Sequence, residues 1–349
     1  MSSTLRVALI GYGYWGPNYA RVLDEMTDTE LALICDMNGE RLERAAKRVP
    51  GAELAQDLDE ALERNDIDAV VVSTPASTHF EVTRRALESG RDVLVEKPLA
   101  LEVSHCEELT ELSEKKGRIL MVAHTFLYNP GIKKLRECVR SSSFGRMYYL
   151  HATRTNLGPI RHDVNSIWDL APHDVSIFNY VLDEVPTWVS ANASRVLENP
   201  REDVAFITLG YSNNVMANIH VSWADPNKVR RIVAVGSYQR VVFDDLDPLE
   251  RIRIFEKGVS VGEMDADTYG EFKLLMRDGD ILSPRIENSE PLKNQCADFV
   301  SAVRQRSKPL SDARTGTDVV MTLQAVDASV RERGKAVEVA KWRVASPSL

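Results

Sequence analysis

The chain has 349 residues, 44% of them hydrophobic and 27% charged, with 43 basic against 52 acidic side chains and a net charge of −9. Such a length exceeds what one core usually fills, so two globular domains are expected, while the acidic balance argues against general nucleic-acid or anionic-membrane binding. Four scattered cysteines without a CxxC pair support neither a zinc site nor a disulfide framework and read as reduced thiols of a cytoplasmic protein, and no apolar run is long enough to cross a bilayer.

Met1-Ser2-Ser3-Thr4 lacks the charged region and cleavage site of a signal peptide and runs straight into a strand, Leu5 to Ile10. Gly11-Tyr12-Gly13-Tyr14-Trp15-Gly16 follows, then Pro17 opening a helix to about Met26. In this turn Gly11 permits the tight bend, Gly13 lets the backbone approach a pyrophosphate, and Gly16 lets helix pack on strand. Pro17 suits a first helical position, and the free N–H groups of that helix end suit an anion. A lone GxGxxG says little; a strand before it and a helix after it is the context that gives it meaning.

The next strand, Glu30 to Cys35, ends at Asp36, at the spacing of an acid that binds the adenosine ribose hydroxyls. A carboxylate there repels a 2′-phosphate and favours NAD over NADP, although Arg41 nearby could receive that phosphate; the alternative for Asp36 is a helix N-cap. Met37 follows in the same turn. A helix from Gly39 to Arg48, a strand near Ala52 to Leu54, and a helix from Leu58 to Arg64 come next. Asp68 to Val72 is a buried strand closed by Ser73-Thr74-Pro75, a second turn placed to touch a cofactor, and Ser77 to Ser89 is a helix with His79 in its first turn, suited to packing or capping.

Val93-Leu94-Val95 reads as a short buried strand that stops at Glu96-Lys97-Pro98, since proline has no N–H for the ladder. Lys97 then sits at the carboxyl edge of an open sheet, where such sheets bind ligands; the alternative is an exposed Glu96–Lys97 pair. A helix from Glu102 to Lys116 and a strand from Arg118 to Ala123, ending at His124, complete a doubly wound parallel α/β sheet of Rossmann type, residues 1–124.

Residues 125–349 read as an α+β domain with a large, mostly antiparallel open sheet. Pro130 to Arg140 is a helix with a basic, solvated face. Strands are expected over 147–156, 187–197, 204–211, 215–223, 229–236, 240–244, 251–255 and 271–276, a covering helix from about Leu170 to Leu182, and closing helices over 291–306 and 312–333, at least one returning to the first domain. The sheet face opposite the covering helix is left for a second subunit, as a homodimer or homotetramer. The densest polar stretch runs from Arg154 through Asn156, Arg161, His162 and Asn165 to Trp168-Asp169-Leu170-Ala171-Pro172-His173-Asp174. Pro172 implies that the helix starts just before it. Asp169 and His173, four apart, share a helix face, where a carboxylate can fix the imidazole tautomer; capping for Asp169 and packing for His173 are the alternatives.

Taken together, Gly11 to Gly16, the Glu96-Lys97-Pro98 turn and the Asp169/His173 pair resemble the glucose–fructose oxidoreductase / inositol dehydrogenase (Gfo/Idh/MocA) family over nearly the whole chain. The resemblance implies an NAD(P)-dependent oxidoreductase acting on a CH–OH group of a sugar, sugar nucleotide or cyclitol, with Lys97 and His173 facing the reacting carbinol and Asp169 holding substrate. NAD is expected to contact Gly11 to Gly16, Asp36, Met37, Arg41, Ser73, Thr74, Pro75, His79, Glu96, Lys97, His124 and Trp168. Lys97, Tyr128, Arg154, Asn156, Arg161, Asn165, Asp169 and His173 are expected to contact substrate. His173 is the better base and Lys97 the stabiliser of alkoxide charge, with the reverse assignment open; no metal is needed. Arg154 and Arg161 could grip an anion, pointing to a nucleotide-linked amino sugar oxidised at C3, whereas an inositol-type cyclitol needs only neutral contacts. The alternative of another class is a non-catalytic NAD(H)-binding regulatory protein.

Overall fold

The computed structural model describes residues 4–158, 160, 161, 163–198, 200–261 and 274–342. The chain begins β1 (Leu5–Ile10), α1 (Gly16–Glu25), β2 (Thr29–Cys35), α2 (Gly39–Arg48), β3 (Glu53–Ala55) and α3 (Leu58–Glu63). It continues through β4 (Ala69–Val72), α4 (His79–Glu88), β5 (Asp92–Val95), α5 (Val103–Lys116), β6 (Leu120–Val122) and α6 (Pro130–Arg140). Then come β7 (Met147–Thr155), α7 (Ser166–Leu182), β8 (Trp188–Ser194), β9 (Val204–Gly210), β10 (Met216–Ser222), β11 (Val229–Gly236), β12 (Arg240–Asp244) and β13 (Ile252–Phe255). The last elements are β14 (Gly258–Val261), β15 (Leu274–Arg277), β16 (Ile281–Leu282), α8 (Pro291–Gln305), α9 (Ala313–Arg331) and β17 (Val337–Glu338).

Two compact units divide the chain: Met1–Asn129 with Ser289–Val320, and Pro130–Asn288 with Met321–Leu349. Ser289–Val320, which holds α8, belongs to the first unit although it follows the whole of 130–288 in the chain. That unit holds a parallel sheet in the order β3-β2-β1-β4-β5-β6. Its central strands are continuous apolar runs, with Val7, Ala8, Leu9, Val70, Val71, Val93 and Leu94 fully buried, as strands covered on both faces must be. Strand order reverses between β1 and β4, the switch point at which such sheets take ligands. The open edge at β6 is closed by Ser311: the Val122 N–H donates to Ser311 O at 2.8 Å, and Ser311 Oγ donates to Val122 O at 2.7 Å.

The second unit is built on a nine-stranded sheet, β16-β13-β12-β11-β7-β10-β9-β8-β17, in which β7 and β10 pair parallel and the other neighbours antiparallel. Alternation along β9 and β10 sends Ala205, Ile207, Leu209, Ile219 and Val221 into the core, where α7 packs on β7, β9 and β10. The opposite face shows Phe206 and Met216 to solvent, with Phe206 stacked on His220. Three short strands, β14, β16 and β17, escape the sequence pattern. Of the expected strand over 271–276, residues 271–273 lie outside the described residues, and the remainder pairs antiparallel with β14 in a separate two-stranded sheet.

One helix start is corrected. α7 begins at Ser166, not beside Pro172, because Asn165 caps it by accepting from the Trp168 N–H at 3.0 Å, leaving Pro172 inside the helix. Among the described residues no helix is long and apolar enough to cross a membrane, and no group of three or more His, Cys, Asp or Glu side chains could hold a metal ion.

Candidate active site

The glycine loop leaves β1 at the switch point. Gly11 has φ +96°, and a Cβ there would lie 2.8 Å from the Ser73 backbone; a Cβ on Gly16 would lie 2.6 Å from Gly11 O. Both glycines are therefore demanded by the protein's own packing. Gly13 is not: its nearest neighbour to an added Cβ is Arg41 Nη1, at 3.8 Å. A glycine with no internal reason to be one fits the close approach of a pyrophosphate. Around the loop Tyr14 and Met37 are almost fully exposed and Trp15 is partly so. Ser73 Oγ donates to Gly11 O at 2.6 Å and ties the second turn to the first. Asp36 is buried, with Oδ2 accepting from the Tyr12 N–H at 2.6 Å and Oδ1 from the Asn38 N–H at 2.8 Å. Asn38, not Asp36, caps α2.

The Glu96-Lys97-Pro98 turn ends β5 as expected, with a cis bond before Pro98, and both Glu96 and Lys97 are buried. Their surroundings form a polar chain that no local pattern announces. Glu96 accepts from Tyr19 Oη at 2.7 Å and from the Lys97 N–H at 3.2 Å; Gln295 Nε2 donates to Tyr19 Oη at 3.1 Å, and Thr125 Oγ1 donates to Gln295 Oε1 at 2.8 Å. Tyr19 belongs to the helix that follows the glycine loop, so one helix serves both the loop and the lysine turn. Burial, then the Glu96 carboxylate, raises the Tyr19 phenol well above its ordinary pKa and keeps it a donor.

His124, at the end of β6, is 1% exposed, and among the described residues neither ring nitrogen has a hydrogen-bond partner. Burial, and then the charge of Lys97, push its pKa down to about 3, so the imidazole is neutral, with one donor and one acceptor at the carboxyl edge of the sheet. That orphaned pair fits a polar cofactor group such as the nicotinamide carboxamide. His79 has its ring nitrogens 2.7 Å from Pro98 O and 2.9 Å from Thr74 O, so it braces the two turns.

In the second unit, α7 carries Asp169 in its first turn and half-buried His173 one turn later. Asp169 Oδ2 accepts from Trp223 Nε1 at 3.2 Å, and its Oδ1 lies 3.4 Å from Arg161 Nη1. Arg161 is forked on Asp163 at 2.9 and 2.6 Å. Arg154 is buried and forked on Asp174 with two bonds of 2.8 Å.

Four of the residues expected to contact ligand have partners within their own unit. Arg154 has its charge neutralised inside the unit. Asn165 gives its oxygen to the cap of α7 and its amide to Glu202 at 3.1 Å. Trp168 is buried with Nε1 donating to Asp327 at 2.8 Å, and Tyr128 is buried with its hydroxyl donating to Asp298 at 2.7 Å. Asn156 follows β7 and is half-buried, its N–H donating to Ser222 O at 3.0 Å, while His162 lies outside the described residues. Tyr19, Gln295 and Asp174 are the residues sequence reasoning missed. None of these three carried a local signal, whereas the cap of α7 did, an Asn just ahead of a helical pattern.

Comparison with known proteins supplies the family. Residues 5–124 match the model of an oxidoreductase family with an NAD-binding Rossmann fold, and residues 132–242 match the GFO/IDH/MocA C-terminal domain. The scyllo-inositol 2-dehydrogenase (NAD(+)) of Bacillus subtilis (strain 168) is 29% identical over 57% of this chain and 60% of its own length. Across the first four curated relatives the matched region spans 59% to 66% of their length. Among solved structures, GenD2 from gentamicin A biosynthesis, in complex with NAD, superposes with a TM-score of 0.83 at 23% identity, over 98% of both chains. The UDP-N-acetylglucosamine 3-dehydrogenase GnnA from Acidithiobacillus ferrooxidans superposes with a TM-score of 0.77 at 23% identity, over 95% of this chain and 99% of that one. At such identities these two structures speak for the fold alone.

Proposed function

The chain belongs to the Gfo/Idh/MocA oxidoreductase family, whose N-terminal domain binds NAD, and on that premise we propose that it is a dehydrogenase oxidising a secondary alcohol of an uncharged cyclitol or sugar. The observation that carries the reading is Lys97: a lysine buried at the carboxyl end of β5, in the sheet whose switch point holds the glycine loop. NAD, when bound, supplies the hydride acceptor. In this reading His173 takes the hydroxyl proton and Lys97 stabilises the developing alkoxide by hydrogen bond and charge. Asp169, held by Trp223 and Arg161, orients the substrate or the histidine. Tyr19 and Gln295 are positioning residues for the lysine turn through Glu96.

The preference for an uncharged substrate follows from the arginines. Arg154 and Arg161 are each neutralised by a forked carboxylate, so an anionic substrate would have to break a charge pair to gain one. The nucleotide-linked amino sugar loses its anchors in this account and stands second.

The test is absorbance of reduced nicotinamide with NAD and a panel of cyclitols, hexoses and UDP-sugars. Lys97→Met and His173→Ala are expected to keep NADH binding and to lose turnover by about 10²–10⁴-fold. Turnover surviving in both variants ends this mechanism. NADH binding without turnover on any compound supports the regulatory alternative.

A further inference from the structure

The turns after β4 and β5 both lie at the carboxyl edge of the parallel sheet, and one side chain joins them. His79, 1% exposed at the start of α4, has Nδ1 2.7 Å from Pro98 O and Nε2 2.9 Å from Thr74 O. Both oxygens are backbone carbonyls, which accept hydrogen bonds and cannot donate them. A neutral imidazole has one N–H and one lone pair, so it serves one of these oxygens and sets its lone pair against the other. Turning the ring over does not help: it brings two C–H groups well inside the usual carbon–oxygen contact of about 3.3 Å. Only the imidazolium, with an N–H on each nitrogen, satisfies both carbonyls.

The surrounding charges are mixed. At this end of the elements packed against α4 stand Glu96 and Lys97 beyond β5, and Glu102 and His105 at the start of α5, with the His105 ring stacked on Phe80 at 3.8 Å. β4 and the Ser73–Pro75 turn carry no charged group, and α3 meets α4 further along, where Asp59 pairs with Arg85. Glu81, in the same turn of α4, is exposed and paired with Arg84. The carboxylates favour a positive ring, while Lys97 and the N-terminal end of α4 oppose it. The two carbonyls tip the balance, because a buried charge-assisted hydrogen bond is strong and a buried lone pair facing an oxygen is repulsive. Ser73 Oγ already ties the same turn to Gly11 O at 2.6 Å, so the glycine loop, the Ser73–Pro75 turn and the lysine turn are linked in series through His79.

We propose that His79 is a buried imidazolium whose two N–H groups fix the spacing between the Lys97 turn and the Ser73–Pro75 turn, which makes it a positioning residue for Lys97. The positioning role rests on the dehydrogenase reading; the charge does not, and is read without turnover. Wild-type protein with nitrogen-15 histidine is studied by NMR at about pH 7, through the coupling of ring carbon protons to ring nitrogens. One ring is expected to show both nitrogens protonated, with N–H protons that exchange slowly because the residue is buried, and His79→Gln removes that signal. An unprotonated nitrogen in every slowly exchanging ring overturns the proposal, whatever the activity. For the positioning role, His79→Gln, which has no charge and cannot reach both carbonyls, is expected to lower kcat about tenfold or more while NADH affinity changes less than about threefold. In the wild type, kcat is expected to fall as rising pH takes the first N–H proton from the His79 ring. An unaltered kcat in the folded variant, or a constant wild-type kcat through that titration, overturns the positioning role and leaves the dehydrogenase reading standing. Turnover on no compound removes that reading and leaves the charge to be decided by the spectrum.

Discussion

Replacing Asp174 by asparagine is expected to unfold the second unit far more readily than any loss of substrate contact could explain. Arg154 and Asp174 have side-chain exposures of 5% and 1%, and their two bonds are each 2.8 Å. Water screens neither charge, so removing the carboxylate breaks the fork on a buried guanidinium, a loss of about 3–5 kcal/mol. For a unit of this size that corresponds to roughly 10 °C in its melting temperature. Urea unfolding followed by tryptophan fluorescence suits the measurement, because Trp168, Trp188 and Trp223 all lie in the second unit. The double variant Arg154→Met/Asp174→Leu buries no charge and is expected to recover most of the loss. A loss below about 1 kcal/mol in Asp174→Asn, or a double variant as unstable as the single one, refutes the reasoning. Arg154 would then return to the substrate, and a weaker KM on its replacement would show it.

Two further outcomes follow from buried groups in the first unit. His124 titrates near 6.5 when unfolded but at about 3 when folded, so between those values the unfolded state binds more protons and stability falls as pH falls. The slope is at most about 1.4 kcal/mol per pH unit, full stability lies above the unfolded value, and His124→Asn should flatten the acid limb of a urea-midpoint series; equal slopes in both proteins would refute the assignment. Tyr19→Phe removes one donor from the buried Glu96 carboxylate and the acceptor of Gln295, which should cost about 2–3 kcal/mol in chemical denaturation. It should lower turnover while leaving NADH affinity nearly unchanged; an unaltered turnover would mean that Glu96 does not position the lysine turn.

The parts of this protein legible in its sequence are those whose physics is local. The glycine loop, Asp36 and the Glu96-Lys97-Pro98 turn each declare themselves within a few residues, and the alternation of strand and helix patterns gives the doubly wound sheet. Side-chain commitments across the fold are not legible in this way. Arg154 reads as an anion grip until Asp174, 20 positions later, is seen to close on it. Tyr19 and Gln295 lie 276 positions apart, and no periodicity connects them. Pro172 misled because proline is read as a helix boundary, whereas the cap at Asn165 outweighed it and the helix ran through.

Ser311 closing the rim of β6, with Gln295 and Asp298 completing polar contacts to Tyr19 and Tyr128, has a consequence for how the protein is made. On the ribosome every strand of the parallel sheet emerges early, yet the residues that shield its last strand are synthesised only after the whole of 130–288. Until then that strand offers bare amides and carbonyls to any passing chain. The nascent sheet therefore spends much of translation unguarded, and a fragment stopping at Asn129 should be a poor folder rather than a free-standing nucleotide binder.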